Sequence, residues 1–374
     1  MPKNIVICSD GTNNKLAGDL TNVARLSQVA MNDARQAVFY DPGVGTMAAP
    51  DQKTWLGKRW SLLSGLAFGT GLDQNVFDAY RFLMKNYEAG DKVFLFGFSR
   101  GAFTIRVLAG LLRGVGLLDK DKGHMLPQVW SHYREIHILP DNASEEEKQK
   151  AKKQEEKTLA LQQHCNRPCR VAFLGPWDTV GSVGVYNMNQ SFPFTFENSK
   201  VDMVRHAVSL DEKRAAFRSN VFKADATLLA NGRPRVMNVW FPGVHSDIGG
   251  GYLWADSGLA MLALEWMVRE AKEFGLLVDE AKYAALLKEC PPSATAQIHE
   301  SLEGAWKAME YLPARRFDWK IKKTIWRYQP NKPRTMLESP VLHRSVLVRM
   351  KANPEYRPSA LPPDYADGQF PLED

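Results

Sequence analysis

The segment KVFLFGFSRGAFTIRVLAGLL, from Lys92 to Leu112, changes from one hydrophobic pattern to another within a few residues. Its first part, Val93 to Phe96, is a short continuous apolar run, which is typical of a strand covered on both faces. After Arg100 the apolar residues recur every three or four positions, which predicts a helix. A buried strand that leads directly into a helix favours a layered α/β fold.

The turn between these two elements is Gly97-Phe98-Ser99-Arg100-Gly101, with the spacing G-x-S-x-G. A turn this sharp needs small residues two positions either side of its centre, and it projects the central side chain clear of the backbone. A glycine-rich turn with an incidental serine is the alternative. The strand before the turn and the helix after it favour a nucleophile elbow, with Ser99 as the nucleophile.

Other elements alternate along the chain in the same way. We predict strands at Asn4–Ser9, Ala37–Tyr40, Arg170–Leu174 and Val236–Trp240, and helices at Asn22–Met31, Asp73–Tyr87, Asp202–Phe217 and Ser257–Phe274. This order predicts an α/β-hydrolase-like fold, with a mostly parallel central sheet flanked by helices. We interpret residues 1–374 as a single domain, with a core at about 3–280, a helical insertion at about 120–168 and an irregular C-terminal extension at about 281–374.

The insertion contains SEEEKQKAKKQEEK, which is almost wholly polar. Ser144 and Glu147 have the spacing of a capping box, and Glu146 and Lys150 have the spacing of a helical ion pair. We therefore expect an exposed helix here.

Composition excludes several classes of protein. The chain has 374 residues, of which 44% are hydrophobic and 24% charged, which are globular values. No apolar run approaches the roughly 18 residues of a membrane span. The start MPKNIVICSD lacks the layout of a signal peptide, which predicts a cytoplasmic protein. The four cysteines do not form a disulfide framework, and HCNRPC lacks a second matching pair, so we expect reduced structural thiols and no bound metal.

A serine nucleophile needs a histidine base that a carboxylate orients. Asp178 follows one predicted strand in GPWDTVGSVG, and His245 follows another in FPGVHSDIGGGY. Both lie on glycine-rich loops downstream of Ser99, in the chain order Ser, acid, His of this fold. His343 is the reserve base. Asp247 is the reserve acid, although we expect it to support the loop.

The oxyanion of acyl transfer needs two backbone N–H donors. We predict that Arg100 supplies one, because it follows the nucleophile. The loop SDGTNN after the first strand should supply the other, from Gly11 or Thr12. We expect Asp10 to order this loop, and a contact between Asp10 and Arg100 is a further hypothesis.

The net charge of +6 is concentrated in residues 314–334, ARRFDWKIKKTIWRYQPNKPR, which hold eight Lys or Arg and one Asp. Aromatic residues lie between these cations. Such a segment can make a peripheral contact with an anionic membrane surface. A solvated basic face is an equal alternative. Nucleic acid is the least favoured partner, because no nucleic-acid motif accompanies the charge.

Two other functions compete with ester hydrolysis. ICSDGTNN is similar to the D-x-D-G-T opening of haloacid dehalogenase phosphatases, but Cys8 occupies the position of their nucleophile. A hydrolase-shaped binding protein without activity is the second alternative. The candidates for all three triad roles argue against it.

Several motifs together resemble the α/β-hydrolase family of bacterial type VI secretion lipase effectors. They are SDGTNN, GLDQNVFDAYRFL, GFSRGAF, WDTVGSVG, RHAVSLDEKRAAF, FPGVHSDIGGGY and HRSVLVRM…YRPSALP, and they run in family order from about residue 4 to 362. The resemblance implies a serine hydrolase with Ser99 as nucleophile and His245 as base, acting on phospholipid acyl esters without a cofactor. Asp211 also belongs to the family pattern, and we interpret it as a structural partner of Arg205 or Arg214.

The resemblance also implies that export by the type VI route is compatible with the lack of a signal peptide. The sequence departs from the secreted effectors in one respect, because they often carry a large membrane-anchoring region. Here only the charged insertion and about 95 residues after 280 are present. A cytosolic esterase for small esters is therefore an alternative within the same fold.

Overall fold

The computed structural model describes most of the chain. The described residues are 2–11, 20–43, 66–136, 138, 144–165, 167–180, 192–214, 217–303, 307, 314–318, 323–327, 331, 333–336, 340–362, 365 and 369–374. For 66–70, 314–318 and 323–327 only the backbone is described.

The strands of the described residues form one large sheet and one hairpin. They are β1 (Asn4–Ser9), β2 (Gln36–Asp41), β3 (Lys92–Phe98), β4 (Val171–Trp177), β5 (Val204–Ser209), β6 (Val236–Phe241), β7 (Ala314–Asp318), β8 (Lys323–Arg327), β9 (Val341–His343) and β10 (Leu372–Glu373). Eight of them make the sheet in the order β2-β1-β3-β4-β5-β6-β9-β10, and all its neighbours are parallel. Strands β7 and β8 pair antiparallel with each other.

Helices connect these strands. They are α1 (Asn22–Val29), α2 (Leu66–Asn86), α3 (Arg100–Gly114), α4 (Leu126–Arg134), α5 (Glu145–Gln162), α6 (His245–Gly249), α7 (Gly258–Glu273), α8 (Glu280–Glu289) and α9 (Ser345–Ala352). Short 3-10 turns occur at Gly123–Met125 and Trp254–Asp256. In the part of the chain that the structure describes, no helix combines the length and the apolarity that crossing a membrane requires.

The central sheet separates two hydrophobic cores, as the alternation of strand side chains requires. In β1, Ile5 and Ile7 pack into the core that α2, α3 and α4 cover. Val6 and Cys8 of the same strand pack into the opposite core, which α1, α7 and α8 cover. Because both faces are covered, the strands of this sheet lack the alternation of a half-exposed sheet, as the sequence of β3 indicated.

The predicted fold class is confirmed, and so is the charged helix. Helix α5 has no buried residue, and its N-terminus carries the capping box between Ser144 and Glu147. Lys150 lies 2.7 Å from Glu146 in the expected ion pair.

The helix predicted at Asp202–Phe217 is wrong, because β5 occupies Val204–Ser209 and the residues described after it, 210–214 and 217, have no regular structure. All six residues of β5 are buried, including Arg205 and His206. A strand buried on both faces cannot be told from a helix by periodicity over so short a stretch. The charge of Arg205 also argues against a buried strand. It is buried here because it is paired, with its Nε donating to Glu270 at 2.6 Å.

The C-terminal region contributes to the main sheet. The sequence pattern predicts no strand there, but β9 pairs with β6 and β10 pairs with β9. A third hydrophobic cluster joins Leu342 and Val346 of this region to Val208 and Trp240 of the central strands. Strands of two or three residues give too short a pattern to be recognised in a sequence.

Candidate active site

Three loops meet at the carboxyl edge of the parallel sheet. Ser99 directly follows β3, Asp178 directly follows β4, and His245 begins α6 shortly after β6. The strand order reverses between β1 and β3, and in open α/β sheets ligands bind at such a switch point outside the carboxyl ends of the strands. The topology therefore gathers residues that lie 146 positions apart in the chain.

Ser99 has the backbone conformation of a sharp elbow, with φ 57° and ψ −118°. The two flanking glycines are needed because of close backbone contacts. A Cβ on Gly97 would lie 2.5 Å from the carbonyl oxygen of Gly101, and a Cβ on Gly101 would lie 2.1 Å from that of Ser9. A side chain at either position would clash with the backbone, so the turn would have to shift.

The three side chains form a continuous row of hydrogen bonds. His245 Nε2 lies 2.9 Å from Ser99 Oγ, and His245 Nδ1 lies 2.6 Å from Asp178 Oδ2. The tautomer that satisfies both contacts carries its proton on Nδ1, so Nε2 accepts from the serine hydroxyl. The rings of Phe98 and Phe217 pack on the imidazole, with centroids 4.6 and 4.9 Å away. These contacts hold the imidazole between the hydroxyl and the carboxylate.

The pKa values of His245 and Asp178 are shifted in the directions that a base and its orienting carboxylate would need. Burial lowers the pKa of His245 against the opposing effect of Asp178, so the imidazole is neutral and can accept a proton near pH 7. Burial alone would raise the pKa of Asp178. The Arg334 guanidinium and His245 outweigh that effect and hold it well below its usual range.

Arg334 is a residue of this site that the sequence analysis missed. Its fully buried guanidinium contacts both carboxylate oxygens of Asp178, with Nη2 2.9 Å from Oδ2. It lies at the end of residues 314–334, the segment for which membrane contact and a solvated basic face were equal alternatives. Neither applies to Arg334, because it is buried and neutralises the carboxylate of Asp178. The other side chains of this segment up to residue 330 lie outside the described part of the chain.

Glu212 is a second missed residue. Its buried carboxylate accepts from the backbone N–H of His245 at 3.2 Å and pairs with Arg214 at 2.8 Å. Burial raises the pKa of Glu212, but Arg214 outweighs burial and lowers it. Asp211 pairs with neither predicted partner. It accepts from the N–H of Gly243 and from the Tyr356 hydroxyl.

The two reserve candidates lie apart from the row of hydrogen bonds. Asp247 accepts from the N–H of Val244 at 2.9 Å and lies 2.6 Å from His299 Nδ1, so it braces the loop of His245. His343 is buried at the end of β9, where its ring stacks on Phe241. Burial lowers the pKa of His343 to about 3.

His206 supports the loop that carries the acid. It is fully buried, and burial lowers its pKa to about 3, so it is neutral. Its Nε2 accepts from the N–H of Thr179 at 3.2 Å, and its Nδ1 lies 3.0 Å from the side-chain oxygen of Asn238. Because Thr179 follows Asp178, the contact between Thr179 and His206 restrains the backbone next to Asp178. The sequence analysis had placed His206 on a helix.

The predicted oxyanion loop adjoins the elbow. Arg100 is the first residue of α3, where backbone N–H groups lack intrahelical partners. A small cavity beside it is lined by Asp10, Gly11, Leu72, Asn75, Arg100, Gly101 and Thr104. The N–H of Gly11 donates to Asp10 Oδ1 at 2.7 Å. Thr12 lies outside the described residues.

Asp10 occupies the position expected of a residue that orders this loop. Its carboxylate accepts from the hydroxyls of Thr21 and Tyr40, besides the N–H of Gly11. A contact between Asp10 and Arg100 stays a prediction. Burial lowers the pKa of Arg100 to about 10.

The four cysteines are not among the residues that link Ser99, His245 and Asp178. Cys8, Cys165, Cys169 and Cys290 are all buried free thiols. Burial raises the pKa of Cys165 to about 11, so this thiol is protonated at neutral pH. Within the described ranges, no three or more His, Cys, Asp or Glu side chains are grouped closely enough to hold a metal ion.

Comparison with known proteins identifies several similar chains. An uncharacterized protein of Saccharomyces cerevisiae, YEL023C, is 35% identical over 230 residues, which are 59% of this chain and 33% of that protein. The chain thus spans about a third of the length of this relative.

Two solved structures are also similar. One is an uncharacterized protein from Pseudomonas aeruginosa, 20% identical, with a TM-score of 0.45 over 79% of this chain and 49% of that chain. The other is the Tle1 effector bound to the VgrG spike of the type VI secretion system, 20% identical, with a TM-score of 0.35 over 69% of this chain and 52% of that chain. Similarities this low carry no functional information.

A family model provides the decisive comparison. It describes the catalytic domain of type VI secretion phospholipase effectors similar to Tle1, and it matches residues 3–270. This range includes Ser99, Asp178 and His245, and it confirms the resemblance drawn from the sequence motifs. Because the match covers well over half of the chain, the protein belongs to the family of Tle1-like phospholipase effector catalytic domains.

Proposed function

We propose that this protein is a serine hydrolase that cleaves carboxylic esters, specifically phospholipid acyl esters, through an acyl-enzyme on Ser99. The observation that carries the proposal is the row of contacts from Ser99 Oγ through His245 to Asp178, at 2.9 and 2.6 Å. A buried neutral imidazole between a strained serine and an ionised carboxylate is the arrangement that activates a hydroxyl as a nucleophile.

The reaction would proceed in two acyl transfers. Ser99 Oγ attacks the ester carbonyl carbon while its proton passes to His245 Nε2. The tetrahedral intermediate collapses, the bond to the leaving alcohol breaks, and His245 returns the proton to that alcohol. Water then attacks the acyl-enzyme with His245 again as base, which releases the fatty acid and restores Ser99. Asp178 holds the imidazole and stabilises its charged form.

The oxyanion would be stabilised by the backbone N–H of Arg100 and by a second donor from Gly11 or Thr12. Gly11 would have to exchange its contact with Asp10 for one with the oxyanion. The cavity that joins Gly11 to Arg100 supports this assignment.

Family membership favours phospholipids over other esters, since the family is described as phospholipase effectors. Small esters are the alternative substrates. Export by the type VI route is a further proposal that rests on the same membership.

The substrate is tested with a panel from short p-nitrophenyl esters to phospholipid vesicles, measured with the wild type and Ser99→Ala in parallel. We expect fatty-acid release from vesicles that depends on Ser99. Cleavage of short esters alone would replace the phospholipase by a small-ester esterase. Activity on neither, together with no labelling by a fluorophosphonate probe, would leave a binding protein with a hydrolase fold.

We also propose that residues 1–374 act as one α/β-hydrolase-like unit. Two contacts support it: β9 pairs with β6, and Arg334 reaches Asp178. Strand β9 and Arg334 lie beyond residue 270, where the family match ends, whereas β6 and Asp178 lie within it.

Peripheral membrane contact through residues 314–330 would bring the site to its lipid substrate. Replacing Trp319, Trp326, Lys322 and Lys323 with Ala should weaken binding to vesicles that contain anionic lipid. Each lysine near such a surface contributes about 1 kcal/mol, so the two lysines alone predict a roughly 30-fold loss of affinity. Cosedimentation with the vesicles measures the effect.

The matched control removes Lys148 and Lys150 from the exposed helix α5, which lowers the net charge by the same amount. Equal losses in both variants would mean that net charge alone attracts the protein. Unchanged binding would mean that residues 314–330 form an ordinary solvated face.

A further inference from the structure

The side chain of Arg334 has no exposed area and makes five hydrogen bonds to three residues, Asp178, Ser209 and Phe217. Its two terminal nitrogens contact both oxygens of Asp178, one also contacts the carbonyl of Ser209, and its Nε donates to the carbonyl of Phe217 at 2.9 Å. All these partners lie at the carboxyl edge of the sheet, with Ser209 at the end of β5 and the other two residues after strands. Arg334 itself lies 64 residues past the end of the family match at residue 270.

We propose that Arg334 is a positioning residue of the active site, which fixes the Asp178 carboxylate for His245 and makes the C-terminal region part of the catalytic unit. This proposal rests on the proposed serine-hydrolase function. No substrate atom need touch Arg334, because it acts through the carboxylate that orients the base.

The geometry explains why Asp178 needs such a partner. Its backbone has φ 37°, which a non-glycine residue adopts at a cost, so neighbouring contacts must hold it there. The carboxylate accepts from Ser209 N–H through Oδ1 and from His245 through Oδ2. The planar fork of a guanidinium spans both oxygens and therefore fixes the plane of the carboxylate.

The charges around the site determine the electrostatic effect of Arg334. Glu212 and Arg214, in the segment after β5, form a compensated pair beside the backbone of His245. On the helix of His245 itself, Asp247 faces away toward His299.

His206 of β5 is neutral, and its Nε2 accepts from the N–H of Thr179, the residue after Asp178. Within the described residues, Arg334 is the cation in hydrogen-bonded contact with Asp178. It therefore offsets the negative charge that would otherwise stabilise the protonated form of His245.

This offset has a measurable consequence for the pH profile. Burial already lowers the pKa of His245. In the wild type, the rise of kcat/KM with pH, its acid limb, should therefore have its midpoint below the usual histidine pKa of about 6.5. Removing the cation leaves Asp178 uncompensated, which favours protonated His245. The acid limb should then move to higher pH.

The test compares Arg334→Met with Arg334→Lys and the wild type. Arg334→Met keeps the volume and loses the charge, so we expect the acid limb to move up and kcat to fall roughly 100-fold, the scale of a small misplacement of catalytic groups. Arg334→Lys keeps the charge but lacks the fork, so its acid limb should stay near that of the wild type. Active-site titration with a fluorophosphonate corrects for unfolded protein.

The matched control is Arg205→Met, which removes another fully buried arginine paired with a carboxylate, that of Glu270. It should lower stability without moving the acid limb. If Arg334→Met does not fold, Arg334→Ala is assayed with added guanidinium ion, which should restore activity by filling the vacated site.

Failure of this proposal and failure of the hydrolase function are distinguishable. NMR titration of the His245 imidazole, in wild type and Arg334→Met, measures the effect of the Arg334 charge on the pKa of His245. This measurement does not depend on whether the protein is an enzyme. An unmoved titration, or an unmoved acid limb with unchanged kcat per active site, would reduce Arg334 to a structural residue. An inactive wild type with a shifted His245 titration would overturn the hydrolase function and retain the electrostatic role.

Discussion

Ser99→Ala should lower kcat for ester hydrolysis by roughly 10⁴-fold or more. The substitution removes the oxygen that lies 2.9 Å from His245 Nε2, so no acyl-enzyme can form. The oxyanion donors and the substrate contacts would remain, and they account for the residual rate over water. Alanine tolerates the elbow backbone about as well as serine does, so the folded state should be retained.

Initial rates with a p-nitrophenyl ester and labelling with a fluorophosphonate measure this loss. The control is Ser27→Ala on α1, where the hydroxyl donates to the carbonyl of Ala24. It should leave both rate and labelling unchanged. Ester hydrolysis that persists in a clean Ser99→Ala preparation would refute Ser99 as the nucleophile.

Asp178→Asn should combine a loss of activity with a loss of stability. An amide cannot hold His245 in the tautomer that accepts from Ser99, and such a change costs about 10⁴-fold in kcat in a serine triad. It would also leave the Arg334 cation buried without its carboxylate. Removing one partner of a buried ion pair costs about 3–5 kcal/mol in the free energy of unfolding.

A double variant separates the two effects. Adding Arg334→Met to Asp178→Asn removes the unpaired cation, so part of the free energy of unfolding should return while kcat stays low. Urea denaturation and initial rates give the two quantities. The control is Asp202→Asn, which breaks an exposed pair with Arg170 and should cost at most about 1 kcal/mol.

Near wild-type kcat in Asp178→Asn would contradict the assignment of the acid. Asp247 would then be the next carboxylate to test, although its present contacts are with Val244 and His299.

The elbow could be predicted because its constraints are local. A buried strand, a serine between two glycines and a helical repeat lie within one short segment, and the close approaches at Gly97 and Gly101 explain why no other residues fit. Asp178 and His245 could be found by their positions after strands. The parallel sheet, predicted from the alternation of elements, places all such positions at one edge.

Other features could not be predicted, because they depend on contacts between distant segments. Strand β5 has apolar residues at spacings that a short helix also shows, and only burial on both faces distinguishes the two. Arg334 lies 156 residues from Asp178 in a basic segment, and a charged residue in such a segment predicts a surface. Nothing in its neighbours indicates a buried carboxylate partner.

Local pattern in the sequence thus determined the positions of β1 to β4 and β6, the elbow at Ser99 and the loops of Asp178 and His245. The tertiary structure decided which side chains surround them: Arg334 on the acid, and Glu212 on the backbone of the base. The physical reason is that strand and helix patterns repeat over a few residues, whereas a buried charge is stabilised by whichever opposite charge the folded chain brings to it.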